Sequence, residues 1–322
     1  MSMAHAKLGA SSAHRWSVCA GSVKACEGLP NKSSPFAEEG TAAHDLAELA
    51  LTIDNTALDN FKDQNMAGFV RMYVEHVQHL AADADLCEIE ARVSYQNWVS
   101  GGFGTADAVV LRGNHLHVVD LKYGMGVQVY AENNPQGMLY ALGAYSEVGH
   151  IADIKTITIT IVQPRLDHIS EWQISISDLL KWGEWISQRA EATQADDAPR
   201  IAGNSQCKFC LAKHNCPSLL DLTTKTLLTE FDNLDDLSTP DALTDDQIGA
   251  VLASKSLIEG WLLAVQSHVT ERLENGEGFD GFKLVAGRSS RKWYDEGETT
   301  EFLTALLGDK AMTQPKLISP AQ

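Results

Sequence analysis

Residues 101–145 read GGFGTADAVVLRGNHLHVVDLKYGMGVQVYAENNPQGMLYALGAY, and this stretch decides the fold. Residues 105–111 and 115–122 have the length and composition of short strands. Arg112-Gly113-Asn114 between them favours a tight hairpin, because glycine and asparagine tolerate the backbone of such a turn. The second run is apolar through Leu116, Val118, Val119 and Leu121 and ends in Asp120-Leu121-Lys122. Side chains two residues apart on a strand point to one face, so Asp120 and Lys122 share a side. Asp107 from the first strand and Asp120 from the second therefore arrive on paired strands. A hard divalent cation takes carboxylate oxygens, and an ammonium beside it steadies an attacking water or a developing negative charge. After a loop, Asn133-Asn134-Pro135 opens a helix that carries Gln136 and Tyr140 one turn apart on one face.

An Asp–Lys pair at a strand end is, taken alone, most often a solvated rim pair. Its company argues otherwise. Gly104-Thr105-Ala106-Asp107 stands before it, Gln136-Gly137-Met138-Leu139-Tyr140 after it, and Gly40-Thr41-Ala42-Ala43-His44 far upstream. This ordered set, GxxxH, GxxD, DxK and QxxxY, resembles the RecB-like branch of the PD-(D/E)XK nuclease superfamily. The resemblance spans residues 12–217 and implies an α/β nuclease core with a central mixed sheet flanked by helices. It implies that His44, Asp107 and Asp120, helped by the carbonyl of Leu121, ligate Mg²⁺ or Mn²⁺. Lys122 would orient the attacking water or stabilise the transition state, and Gln136 and Tyr140 would hold the DNA strand. Glu39 is a lesser candidate for a supporting role. The implied reaction is metal-dependent hydrolysis of DNA phosphodiester bonds, as an exonuclease rather than an endonuclease. Compact nucleases of this kind resemble those of phage recombination, which resect an end for a single-strand annealing protein. A homo-oligomer is among the assemblies expected.

Upstream of the hairpin, residues 12–26 read as a helix with Trp16, Val18 and Val23 for burial and Cys19 within it. Ser34-Pro35 makes an N-cap followed by a first-turn proline, opening a helix to about residue 53. Gly40 inside that helix costs roughly 1 kcal/mol relative to alanine, which suggests the close approach of another element. Residues 61–82 form an amphipathic helix whose His76 and His79 are read as solvated. Residues 88–95 alternate as a strand through Ile89, Ala91, Val93 and Tyr95, with Cys87 at its start as a buried thiol. Downstream, residues 154–163 and 168–175 are strands and residues 177–192 a helix.

Six cysteines lie at positions 19, 26, 87, 207, 210 and 216. Cys207, Cys210 and Cys216 supply three ligands with metal-site spacing, and a tetrahedral site needs a fourth, from His214 or Cys19. Some RecB-like nucleases, the AddB-type among them, resemble this layout. They bind a 4Fe–4S cluster through one cysteine ahead of the nuclease motifs and a C-x2-C-x5-C group behind them. The resemblance thus implies Cys19, Cys207, Cys210 and Cys216 as cluster ligands, with a structural zinc site as the alternative. Such a cluster would staple the N-terminal helix to the end of the nuclease core.

With 322 residues, the chain can bury a substantial core. The expected division is a nuclease domain over residues 1–222, an acidic linker over 223–246 and a mostly helical appendage over 247–322. Residues 230–246 hold seven carboxylates and no lysine or arginine. In the last part, residues 244–275 read as a helix and 279–286 as a short β segment. Arg288-Ser289-Ser290-Arg291-Lys292-Trp293-Tyr294 is the densest basic stretch, of a kind that suits a nucleic-acid strand. The net charge of −18 (25 basic against 43 acidic residues) disfavours indiscriminate adhesion to nucleic acid, so DNA must meet a local basic groove. No uninterrupted apolar run is long enough to span a bilayer and no signal-peptide pattern opens the chain. A cytoplasmic protein without a membrane partner is expected. No GxxxxGK[ST] phosphate loop is present, which excludes a fused helicase motor of that type. Two rivals remain. One is a non-catalytic DNA-end or partner-binding protein whose cluster is architectural, and the other a zinc-binding regulator.

Overall fold

In the computed structural model the described residues are 6–31, 34–230, 245–285 and 296–308. The chain divides into two compact units, Met1–His268 and Val269–Gln322. The first is built on a mixed five-stranded sheet in chain order: β1 (Leu86–Ser94), β2 (Phe103–Arg112), β3 (His115–Leu121), β4 (Thr156–Gln163) and β5 (His168–Ser175). β1, β2 and β3 pair antiparallel, β3 and β4 parallel, and β4 and β5 antiparallel. The α/β fold read from residues 101–145 is the fold observed.

The hairpin closes with Arg112 opposite His115 and Gly113 at φ 60, a left-handed conformation that glycine adopts without a Cβ clash. The parallel step from β3 to β4 needs a crossover, and the helix Pro135–Val148 provides it. Asn134 caps that helix by accepting from the amides of Gln136 and Gly137. It lies on one face of the sheet with the helix Ile176–Ala192. Leu116, Val118, Ile157, Ile159 and Ile161 fill the core between them. Each such side chain contributes about 1.5–3 kcal/mol by leaving water. The other face carries the helices Pro35–Thr52 and Gln64–Ala81, packed through Leu46, Val70, Tyr73 and Val74 onto Ala108, Val119, Leu121 and Val162.

One crease interrupts the sheet. Ile89 pairs with Ala108 and Ala91 with Ala106, but Glu90 and Asp107 between them make no regular pair, and Glu90 has φ 50. Across this point the side chains change faces. Ala108 belongs to the core under the Pro35–Thr52 helix and Ala106 to the core under the crossover helix.

Several expectations require correction. Residues 12–26 are not one helix. They form short turns at Ala10–Ser12, Ala13–Trp16 and Ser22–Ala25, because the chain bends to pack Gly21 against Ala198 and Pro199, where a Cβ would collide. Val18 is consequently exposed while Trp16 is fully buried. The amphipathic helix expected from residue 61 opens instead at Gln64, since Asp63 accepts from the amides of Asn65 and Met66. Gly40 has no neighbour within 4 Å of where its Cβ would stand, so no close approach explains it. Cys87 is exposed, because it lies at the start of the edge strand. His76 is partly buried beside Glu171, 3.9 Å away, rather than solvated.

Beyond the sheet, residues 217–230 are helical (Pro217–Glu230), and most of the acidic stretch lies outside the described residues. The helix Asp245–Glu274 follows, its expected cap Thr244 again outside them. Its segment Ile248–Glu274, with mean hydropathy 1.5 over its most apolar window, has the length and composition of a membrane span. Charged residues such as Lys255 and Glu259 interrupt it, so it is not an unbroken apolar run. In the second unit the expected β segment reduces, among the described residues, to a single bridge between Phe279 and Phe282, and the helix Glu296–Leu307 follows. The basic stretch 288–294 lies outside the described residues.

Candidate functional site

The motif residues converge at one end of the sheet. Asp107 sits on the crease in β2, Asp120 near the end of β3, and His44 reaches them from the helix Pro35–Thr52. His44 Nδ1 lies 3.4 Å from Asp107 Oδ1, and the amide of Leu121 donates to Asp107 Oδ2 at 2.6 Å. Ligand atoms of His44, Glu90 and Asp107 all lie within 4.8 Å of one another, a spacing that one octahedral cation can bridge. Glu90 was not singled out from the sequence. In an alternating strand it falls with Glu88 and Arg92 on what reads as the solvent face. The crease turns it into the site instead.

Asp120 is nearly fully buried and answers to a different set of partners. Lys122 Nζ donates to its Oδ1 at 3.0 Å and stands 2.8 Å from Oδ2, yet Oδ2 receives no well-angled hydrogen bond. That oxygen is held by the Lys122 ammonium as an ion pair alone, which leaves lone-pair capacity for a further ligand. Gln136 completes the cage: its Nε2 donates to Asp120 Oδ1 and its Oε1 accepts from Lys122 Nζ, both at 3.1 Å. Tyr140 is buried rather than half-open, with its hydroxyl 3.5 Å from Gln136 Nε2. Its ring lies over Gly104, where a Cβ would stand 2.7 Å from Cε1. The GxxD glycine is thus the space into which the QxxxY tyrosine fits. The structure brings His44, Asp107, Asp120, Lys122, Gln136 and Tyr140 together. For Leu121 it shows the amide committed to Asp107.

The electrostatics follow from crowding acids in low dielectric. Burial and then the neighbouring Asp107 push the Glu90 carboxyl up to about 7. Burial likewise raises Asp120, against the pull of Lys122. Burial acts to lower His44, but the hydrogen bond and charge of Asp107 outweigh it and the net shift is upward. Tyr73, whose buried hydroxyl has no partner, is raised by burial and by Asp107 and Asp120. A site with this many protons held by repulsion is one that a divalent cation would relieve. Glu39, the lesser candidate, pairs with Arg165 at 2.7 Å, and that guanidinium lies 4.9 Å from the centre of the Tyr123 ring. Of the two cations Lys122 and Arg165, Lys122 is the one in contact with a site acid.

The second constellation lies across the N-terminal segment. One cavity is lined by Cys19, Cys207, Cys210 and Cys216, with Arg200 and Lys213 beside apolar Ala25, Ile201, Ala212 and Leu219. The amide of Ile201 donates to Cys19 Sγ at 3.2 Å and that of Gly203 to Cys207 Sγ at 3.4 Å. His214 does not line the cavity. Its Nδ1 contacts the Leu211 carbonyl at 3.1 Å and its ring stacks on His268. Cys26, left unassigned by the sequence, stands 3.7 Å from Cys210 Sγ and receives a hydrogen bond from Arg15. The Cys210 thiol and, further, the Arg15 guanidinium hold Cys26 below the ordinary thiol range.

A family model described as "Protein of unknown function (DUF2800)" matches residues 5–322. A solved structure titled "Crystal structure of SSO0001" is 19% identical over 55% of this chain and 85% of that one, with a TM-score of 0.28, a likeness too slight to bear on activity.

Proposed function

The chain belongs to the DUF2800 family, and we propose that it is a metal-dependent deoxyribonuclease acting at DNA ends. The observation that carries this reading is the convergence of His44, Glu90 and Asp107 beside the Asp120–Lys122–Gln136 cage. His44, Glu90, Asp107 and Asp120 would hold Mg²⁺ or Mn²⁺, with the Leu121 carbonyl as a further ligand. A divalent cation bound there polarises the phosphodiester and lowers the pKa of bound water. Lys122 is aimed by two fixed acceptors, so its ammonium meets the negative charge that develops on the phosphate without reorganisation at the moment of reaction. Gln136 keeps that ammonium in place, and Tyr140 packs Gln136 from below. Water's oxygen joins phosphorus as the bond to the leaving sugar oxygen breaks, the water giving up a proton to solvent and the departing sugar oxygen taking one from it.

We further propose a 4Fe–4S cluster on Cys19, Cys207, Cys210 and Cys216. The cavity they line and the two amides donating to sulfur suit a thiolate cluster. Zinc is the weaker choice. A tetrahedral Zn²⁺ draws its thiolates to about 3.8 Å from one another, and among the described residues the only ligand group converging within 4.8 Å is the one at His44. The proposed setting is phage-type recombination or end resection, with a single-strand annealing protein as partner.

The test is an assay on end-labelled linear and closed circular DNA with anaerobically purified protein, in Mg²⁺ or Mn²⁺ against EDTA. Metal-dependent loss of linear DNA with the circle spared supports the exonuclease. No cleavage in any metal by protein carrying its full iron complement favours the non-catalytic DNA-end binder.

A further inference from the structure

The loop that joins Lys122 to Gln136 has both its ends in the site, yet its tip is apolar and exposed. Met125 is 54%, Val127 43% and Tyr130 58% exposed. A solvated loop of this kind would ordinarily be polar and mobile. This one is instead pinned from beneath. Gln163, 1% exposed at the end of β4, donates to the carbonyls of Gly124 at 2.7 Å and Val127 at 2.8 Å, and accepts from the amide of Val129 at 3.1 Å. His168 contacts the Val129 carbonyl through Nε2 and Gln128 through Nδ1, both at 2.9 Å. Ser170 accepts from the Ala131 amide. Tyr130 stands edge-on to the His168 ring at 5.2 Å, which steadies the phenol. A buried glutamine spent entirely on loop backbone holds three apolar side chains in water, immediately beside the acids.

We propose that residues 123–131 form a nucleobase-stacking platform, and that the ligand class is an unpaired DNA terminus. Its bases would lie on Tyr130 and against Met125 and Val127 while its backbone enters at Lys122. The inference rests on the nuclease reading for the identity of the polymer. It deepens that reading by naming the substrate form. Flat and apolar side chains gain most from base faces that are not already stacked, and stacking does not depend on sequence. In a protein of charge −18 it also supplies affinity that long-range electrostatics does not. Arg165, paired with Glu39 and lying against the Tyr123 ring, fixes the root of the loop.

The test compares the parent with Tyr130→Ala, Tyr130→Leu and Tyr130→Phe in the full chain. Each is titrated with an oligonucleotide carrying 2-aminopurine at an unpaired end, in Ca²⁺. The parent should bind with a change in probe fluorescence. Tyr130→Phe should match it, and both Tyr130→Ala and Tyr130→Leu should weaken binding about ten-fold or more. Hydrolysis of a short abasic deoxyribose-phosphate oligomer, which has no base or other aromatic ring to stack, should be unchanged in all four. Tyr130→Leu keeps the bulk and guards against a folding defect in the alanine variant. Equal binding by all four proteins overturns the proposal. So does a parallel loss of abasic-oligomer hydrolysis, or a fall in native mass in Tyr130→Ala that shows the tip to be a contact between two copies of the chain. A probe response without cleavage in Mg²⁺ or Mn²⁺ leaves the platform standing and removes the nuclease. Cleavage without any response at the terminal base does the reverse.

Discussion

The acid site and the cysteine-lined cavity are both assembled from residues far apart in sequence, but they are held by different means. The acids ride on paired strands, and each is fixed by groups already present: Asp107 by the Leu121 amide and His44, Asp120 by Lys122 and Gln136. The cysteines ride on short turns and connecting chain, Cys19 between two four-residue helices and Cys207 to Cys216 on and beside two short segments, Asn204–Lys208 and Leu211–Asn215. Hydrogen bonds tie the two pieces together, from Gly21 to Pro199, from Arg189 to Ser17 and from Lys24 to Asp196. The sheet supplies geometry to the first site before any ion arrives. On the proposal of a cluster, the second would depend on its bound group for much of its rigidity, because four sulfurs bridged by one cofactor would close a very long loop.

The sharpest way to break this contrast is at Asp120. Asp120→Asn should lower DNA cleavage by about 10²–10³-fold or more while leaving the melting temperature equal or higher, since a buried carboxyl held above its usual range is lost. Parental cleavage by this variant removes the assignment. At the other site the order of effects should invert. Cys207→Ser should lower the melting temperature by about 10 °C, the scale expected when a cross-link closing a loop of more than 100 residues is removed. Limited proteolysis should then open the chain between residues 195 and 217. Unchanged melting would mean that the hydrogen bonds alone hold the N-terminal segment.

A subtler probe concerns pH. In EDTA, Glu90 keeps its proton in the folded state up to about 7 against an ordinary 4.5. The folded chain therefore binds more protons between those values, and stability falls as pH rises from 4.5 to 7. The upward shifts of Asp120 and His44 act in the same direction. Glu90→Gln should flatten this decline in a melting series, and Mn²⁺ should reverse it in the parent by favouring the ionised ligands. A parent whose melting point is level across that window would show the acids to be better solvated than their burial indicates. Smallest in size is a pair of glycine changes. Gly40→Ala, with open space around it, should stabilise by up to about 1 kcal/mol. Gly104→Ala, pressed against Tyr140, should destabilise by about 1–3 kcal/mol. Equal effects would mean that the Tyr140 ring moves aside freely.

Those two glycines also mark how far the chain is legible without coordinates. The hairpin, the Asp120–Lys122 side-sharing and the opening of a helix at Asn133-Asn134-Pro135 follow from local periodicity and turn chemistry, whereas spacing alone leaves Cys19 and His214 as equal fourth partners of Cys207, Cys210 and Cys216, and only the family resemblance implies Cys19. Gly40 and Gly104 look alike in a motif, yet one meets nothing and the other receives a ring from 36 residues downstream, from Gly104 to Tyr140. Glu90 and Tyr73 are invisible for the same reason. A strand's alternation puts the glutamate outward and a helix's periodicity makes the tyrosine ordinary core. Only the crease and the packing of two faces turn both toward Asp107. The helical run expected over residues 12–26 failed because nothing local announces the backbone of residues 198–200 against Gly21.

The crease at Glu90 also carries a thermodynamic signature. A side chain other than glycine held at positive φ stores about 1–3 kcal/mol of strain, and here the residue held so is an acid already crowded by other acids. Glycine at this position would relax the backbone and empty the site at once. The fold is therefore less stable than its own sequence could make it, by an amount localised to one peptide unit. A cation bound at the site would offset that deficit without relaxing the backbone, coupling ligand binding to the resistance of the whole sheet to unfolding.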